Sequence, residues 1–190
     1  RLEEGYGLND EALRQLAAAG TKVVVTVDCG ISAVAEAAVA AELGLELIIT
    51  DHHEFAATLP QAAAIVHPRL PGSNYPFAGL SGAGVAHKLA WELCRQADGA
   101  KKVSPRMRDY LLSALGLAAL GTVADCVPLV DENRVLVQHG MKSIFERPGE
   151  GLAALIRVAA LAEKKSLDSE DVAFALAPRL NAAGRLGQAE

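Results

Sequence analysis

KVVVTVDCGISAVAEAAVAAELGLELIITDHHE, residues 22–54, is the stretch on which the fold turns. Lys22-Val-Val-Val-Thr-Val-Asp28 and Leu45-Glu-Leu-Ile-Ile-Thr-Asp51 are continuous apolar runs rich in β-branched residues. Such runs read as strands buried on both faces of a parallel sheet. Between them, Cys29-Gly30 turns the chain, Ser32 caps a helix running to about Leu43, and Gly44 ends it. Strand, helix, strand at this spacing is a βαβ unit, for which a right-handed crossover is expected. A third strand is expected near Ala63–His67, after a loop containing Pro60. Upstream, residues 9–20 read as a helix with Asn9 at its N-cap and Gly20 as its stop.

From residue 79 the pattern becomes helical, with helices expected over 83–97, 106–124, 132–146, 149–162 and 168–177. Pro68, Pro71, Pro76, Pro105, Pro128 and Pro148 mark the boundaries. The fold class is therefore α/β, a parallel sheet with flanking helices followed by a helix-rich C-terminal part. A chain of 190 residues is expected to form one domain with a real core. A net charge of −5 does not announce a broad nucleic-acid surface, and it suits a site where carboxylates gather. Cys29, Cys94 and Cys126 are odd in number and include no C-x-x-C, which argues against a disulfide framework or zinc ribbon. A reducing cytoplasm is the expected compartment. The longest apolar stretch, Leu111–Ala124, is too short to span a bilayer, so no membrane association is expected. The chain starts at Arg1 without a methionine and reads as an internal piece of a longer protein.

The chemistry is expected where strands end. In open α/β sheets, ligands bind outside the carboxyl ends of the strands. Asp28 ends the first strand, and Asp51-His52-His53-Glu54 follows the second. Neighbouring strands lie about 4.8 Å apart, so both ends can reach one metal ion or a close pair. An Asp after a strand is commonly a cap or turn residue, and a loop His pair is commonly solvated. Asp-His-His directly after a buried strand, beside a second strand-end Asp, is a rarer coincidence. Carboxylate plus imidazole suits Mn²⁺, Fe²⁺ or Zn²⁺, and carboxylates alone suit Mg²⁺. A third acid, Asp125 in Gly121-Thr-Val-Ala-Asp125-Cys-Val-Pro128, ends a long apolar helix, where a negative charge is electrostatically misplaced. It reads either as a surface residue before a turn or as a further ligand.

Together these motifs resemble the DHH phosphoesterases. Asp51-His52-His53 is the family signature, Val27-Asp28-Cys-Gly30 is similar to its second motif, and Gly121-Thr-Val-Ala-Asp125 is similar to its fourth. Arg1…Gly5-Tyr6-Gly7-Leu8 and Pro178-Arg179-Leu-Asn181-Ala-Ala-Gly184-Arg185-Leu186 resemble stretches particular to the RecJ branch of single-strand-specific 5′→3′ exonucleases. The match runs through the whole chain in the family's order.

The resemblance implies roles. Asp28, His52 and Asp125 would be metal ligands, Asp28 bridging two ions, so the three are expected to converge in space. His53 would sit beside the scissile phosphate and Asp51 would orient an imidazole. Arg1, Tyr6 and Arg185 would hold the 5′ end of single-stranded DNA, the arginines by bidentate phosphate contacts and Tyr6 by stacking on a base. The cofactor implied is a divalent metal, Mn²⁺ or Mg²⁺, as two ions that lower the pKa of a bound water for attack on phosphorus. The family's D-x-D motif and downstream accessory domain have no counterpart in this sequence, so the piece alone is expected to be inactive. The rival readings are a family member acting on short oligonucleotides, cyclic dinucleotides or pyrophosphate, and an inactive nucleic-acid-binding scaffold.

Other features read more plainly. Cys29 and Cys126 are expected to be small buried packing residues, His67 and His87 structural, and Trp91 part of the core. Lys101-Lys102 and Lys164-Lys165 read as solvated turns. Ser81-Gly-Ala-Gly84 opens a helix whose amides could bind an anion.

Overall fold

The computed structural model describes residues 6–99 and 102–185. The chain divides into two compact units, Arg1–Ala78 and Gly79–Glu190.

The first unit is built on the βαβ stretch. Helix α1 (Asp10–Ala18) starts at Asn9, whose side chain accepts from Ala12 N–H at 2.8 Å. It stops at Gly20, where φ is +87° and Gly20 N–H and Thr21 N–H return to the carbonyls of Ala17 and Leu16. Gly takes this left-handed conformation without steric cost. Strands β1 (Val23–Val27), β2 (Glu46–Thr50) and β3 (Ala64–Val66) form a parallel sheet in the order β1-β2-β3, with Val27 opposite Thr50 and Thr50 opposite Val66. Helix α2 (Val34–Glu42) links β1 to β2. The core lies on one face of the sheet, where Leu13, Ala37 and Ala40 of the helices meet Leu47 and Ile49.

Two expectations fail here. β1 is not buried on both faces: Val23, Val25 and Val27 are 47, 50 and 55% exposed. Among the described residues β1 stands at one end of the sheet order, and of its residues Val24 packs against the core cluster. Ser32 does not cap α2, whose N-cap is Ala33 without a side-chain bond; the Ser32 hydroxyl instead lies 3.4 Å from the Glu54 carbonyl.

The second unit is helical: α3 (Gly82–Ala97), α4 (Pro105–Ala124), α5 (Asp131–Glu146), α6 (Glu150–Val158), a π-helical turn over Asp171–Leu176 and α7 (Ala177–Arg185). Its core joins Ala119 and Val123 of α4 to Val137, Met141 and Ile144 of α5 and to Val172 and Leu176. Ser81 caps α3, its Oγ accepting from Gly84 N–H at 3.1 Å, and also bonds Thr122 of α4 at 2.8 Å, with Gly82 and Gly84 buried. Trp91 is 50% exposed rather than in the core, and Cys126 is exposed rather than buried. α6 is shorter than expected because Ala160 turns left-handed (φ +58°). The expected last helix becomes the π turn plus α7, and the backbone at Gly184-Arg185, which read as a turn, is helical. No helix among the described residues is long and apolar enough to cross a membrane.

Close approach of α4 and α5 rests on a missing side chain. A Cβ at Gly140 would collide with Ala119 Cβ and lie 2.5 Å from Leu115 O, which is backbone and cannot swing away. Gly140→Ala should therefore lower the unfolding free energy by about 1–3 kcal/mol or more. Gly151→Ala, in the first turn of α6 with nothing within 4 Å, should be neutral or raise it by up to about 1 kcal/mol. Urea midpoints of the two variants check the contrast.

Candidate metal centre

Because the three strands are parallel, their C-terminal ends share one edge. Asp28 follows β1, Asp51-His52-His53 follows β2, and His67 follows β3. The ladders continue one step beyond the strands: Asp28 N–H donates to Thr50 O at 3.0 Å, and Asp51 N–H to Val66 O at 3.1 Å.

At Asp28 the chain leaves the strand abruptly, with φ +64°. Asp is among the few non-Gly residues that enter this region, because its short polar side chain can bond locally. Gly30 completes the turn at φ +107°, where a Cβ would lie 3.0 Å from Thr26 Oγ1. Thr26 Oγ1 donates to Cys29 O at 2.7 Å, and Tyr6 Oη donates to Asp28 O at 2.7 Å.

The second turn is organised by Asp51, which is 1% exposed. Its Oδ2 accepts from Ile31 N–H at 3.0 Å. Its Oδ1 accepts from His52 N–H at 2.7 Å, His53 N–H at 3.2 Å and His53 Nδ1–H at 2.7 Å. Burial alone would raise the Asp51 pKa. The hydrogen bonds from Ile31, from the His53 ring and from the His53 and His52 amides outweigh burial and hold it below the ordinary carboxylate value.

Between the two turns lies a donor set. One ligand atom each of Asp28, His52 and His53 falls within 4.8 Å of the others. His52 Nε2 stands 3.1 Å from Asp28 Oδ1, and that buried oxygen accepts no hydrogen bond. A buried carboxylate oxygen without a donor, beside two imidazoles, fits a divalent cation of the Mn²⁺, Fe²⁺ or Zn²⁺ type. Because Nδ1–H of His53 is given to Asp51, the lone pair of the neutral ring lies on Nε2.

Asp125 lies in the second unit, as the C-cap residue of α4. Arg1 lies outside the described residues, and Arg185 is the last residue of α7. Cys29 is no nucleophile candidate: burial first, then Asp51 and Asp28, push its thiol pKa up and disfavour the thiolate.

His67 and Arg69 were not among the residues that sequence reasoning placed in the site. His67 Nε2–H donates to His53 O at 2.9 Å, and Arg69 Nη2 donates to His52 O at 2.7 Å. Their position just after the third strand, on the edge already holding the two aspartates, was the available signal.

A family model described as "DHH family, N-terminal domain" matches residues 3–117. The single-stranded-DNA-specific exonuclease RecJ of Bacillus subtilis is 46% identical over 190 residues, covering all of this chain and 22% of that protein. A crystal structure of exonuclease RecJ bound to manganese superposes with a TM-score of 0.81 at 38% identity, over 100% of this chain and 45% of the other. RecJ of Thermus thermophilus in complex with Mn²⁺ gives 0.78 at 37% identity, over 95% of this chain and 25% of that one. The chain thus spans less than half the length of these relatives.

Asp51→Asn would leave one oxygen to accept what two charged oxygens accept now, and would turn an NH₂ toward N–H donors. It should lower stability by about 2–4 kcal/mol, read from urea unfolding. The wild-type chain should show the same dependence in acid. A depressed native pKa contributes stability that is complete above the unfolded value of about 3.9 and is lost as pH falls through the native value. The acid limb of a stability–pH profile should therefore flatten in Asp51→Asn.

Proposed function

We propose, from the premise that this chain belongs to the DHH family, that it forms part of a metal-dependent phosphoesterase that hydrolyses single-stranded DNA from its 5′ end. The observation carrying the reading is the convergence of Asp28, His52 and His53 at the shared strand edge. The likeness to RecJ proteins, two of them solved with manganese, supports both the substrate and a divalent ion. A role in DNA repair and recombination, and a cytoplasmic location, go with that substrate.

In this reading Asp28 and His52 hold Mn²⁺ or Mg²⁺, with Asp125 of the second unit as a further ligand and two ions as the full complement. A divalent ion at such a site lowers the pKa of bound water and neutralises charge on a phosphate. The chain's own residues do the remaining work. Asp51 holds the His53 ring through Nδ1–H, which leaves the Nε2 lone pair to ligate or to exchange a proton at the scissile phosphate. The left-handed turn at Asp28 aims its carboxylate at His52. Tyr6, exposed and bonded through its hydroxyl to the Asp28 carbonyl, is in this reading the residue that stacks on a base. Arg1 and Arg185 are the proposed phosphate grips.

Mn²⁺ titration followed by electron paramagnetic resonance tests the metal. Weak binding is expected from the 190-residue chain, because the sequence holds no D-x-D to add carboxylates. Asp28→Asn should weaken it further by more than about tenfold, since even outer partners of ligands matter on that scale. The chain alone should leave a 5′-labelled single strand intact, and efficient digestion would overturn that part. In an active enzyme containing this chain, Arg185→Ala should weaken single-strand binding. The slope of log K against log salt should fall by about 0.7, one phosphate contact, with Mn²⁺ binding unchanged.

A further inference from the structure

The turn carrying His52 and His53 has no regular secondary structure from Asp51 to Glu54, so its backbone polar groups must find partners elsewhere. Asp51 takes the amides of His52 and His53. The carbonyls are taken from the opposite side, by His67-Pro68-Arg69. The His67 ring, only 6% exposed, bridges two backbone groups: Nε2–H donates to His53 O at 2.9 Å, and Nδ1 accepts from Arg69 N–H at 3.1 Å. Both bonds require the same neutral tautomer, so the ring is fixed by its own partners. Phe55 meets its face edge-on, with centroids 5.1 Å apart. Arg69 then reaches back, with Nη2 on His52 O at 2.7 Å and Nη1 on the Glu54 carboxylate. Consecutive carbonyls and the carboxylate that follows them are thus held by two residues of one segment.

We propose that His67 and Arg69 are positioning residues of the phosphoesterase site, which set the direction of the His52 and His53 imidazoles by fixing the carbonyls of the two peptide units. The proposal rests on the reading of the site given above. A peptide unit in a loop can rotate about its flanking Cα atoms, and the side chains it joins swing with it. The unit joining His52 to His53 is held at both ends, its carbonyl by Arg69 and its N–H by Asp51, and the next unit is held at its carbonyl by His67, which restricts that freedom. Arg is required because one planar fork spans a carbonyl and a carboxylate together, which a Lys ammonium on a flexible stem does not reproduce. Neither residue touches the reacting atoms in this arrangement.

The test uses ring ¹⁵N shifts of His53, which report its tautomer without metal or substrate, alongside Mn²⁺ affinity. The wild-type chain should show a single Nδ1–H tautomer, as the contact with Asp51 demands. His67→Ala and Arg69→Leu, folded by circular dichroism, should show a mixture of tautomers and bind Mn²⁺ about tenfold more weakly, the range typical of outer-partner loss. His67→Gln, which keeps a donor at the position of Nε2, should restore most of both. Arg69→Lys should fall between Arg69→Leu and wild type. If His67→Ala does not fold, the Arg69 pair decides alone. Folded Arg69→Leu with wild-type His53 shifts overturns the positioning role whatever the metal does. A wild-type chain that takes up no Mn²⁺ overturns the metal reading, while the shifts still decide the positioning role.

Discussion

A single buried carboxylate holds the site together. Asp51 sits at the end of β2, yet one of its oxygens is bonded to Ile31 in the turn after β1. The other gathers the amides of His52 and His53 and the His53 ring. The turns after two adjacent strands are therefore clamped to each other through one side chain. Burying a carboxylate is expensive unless its oxygens are satisfied, and here four donors satisfy them.

The sheet supplies the frame. Parallel strands in register bring Val27 beside Thr50 and Thr50 beside Val66, so residues one step further on emerge at one edge. The Thr50 hydroxyl donates to Thr26 O at 2.7 Å, stitching the last rung before the turns. Asp28 leaves β1 through a left-handed turn, and His67-Pro68-Arg69 leaves β3 beneath the histidine turn. Three chain segments distant in sequence thus surround one donor set, each reaching it by a short loop whose backbone groups are bonded to its neighbours.

Much of this was legible in residues 22–54. Period, β-branching and the terminal acids identified β1, α2 and β2, and Asp51-His52-His53 pointed to the strand edge where the candidate donor set lies. Asn9 and Gly20 bounded α1 correctly because caps act through local chemistry. What was not legible depended on partners. A run of valines reads the same whether one sheet face or both are covered, so the exposed face of β1 was missed. Trp91 lies at core spacing on α3, but apolar spacing does not reveal which face of a helix meets another. Ser32 has a capping residue's chemistry, yet the turn at Gly30 carries it toward Glu54 instead. The roles of His67 and Arg69 consist of bonds to backbone carbonyls, and any sequence offers such carbonyls at every position.

The left-handed backbone at Asp28 narrows what evolution can write there. The position demands a residue that tolerates φ near +64° and also presents a short carboxylate to His52. Gly accepts the backbone but brings no side chain. Asn accepts it too, but has no charge. Glu has the charge, but it lacks the local tolerance for this conformation. At this one position backbone and charge ask for the same letter, and even the mildest acidic exchange, Glu in place of Asp, ceases to be conservative.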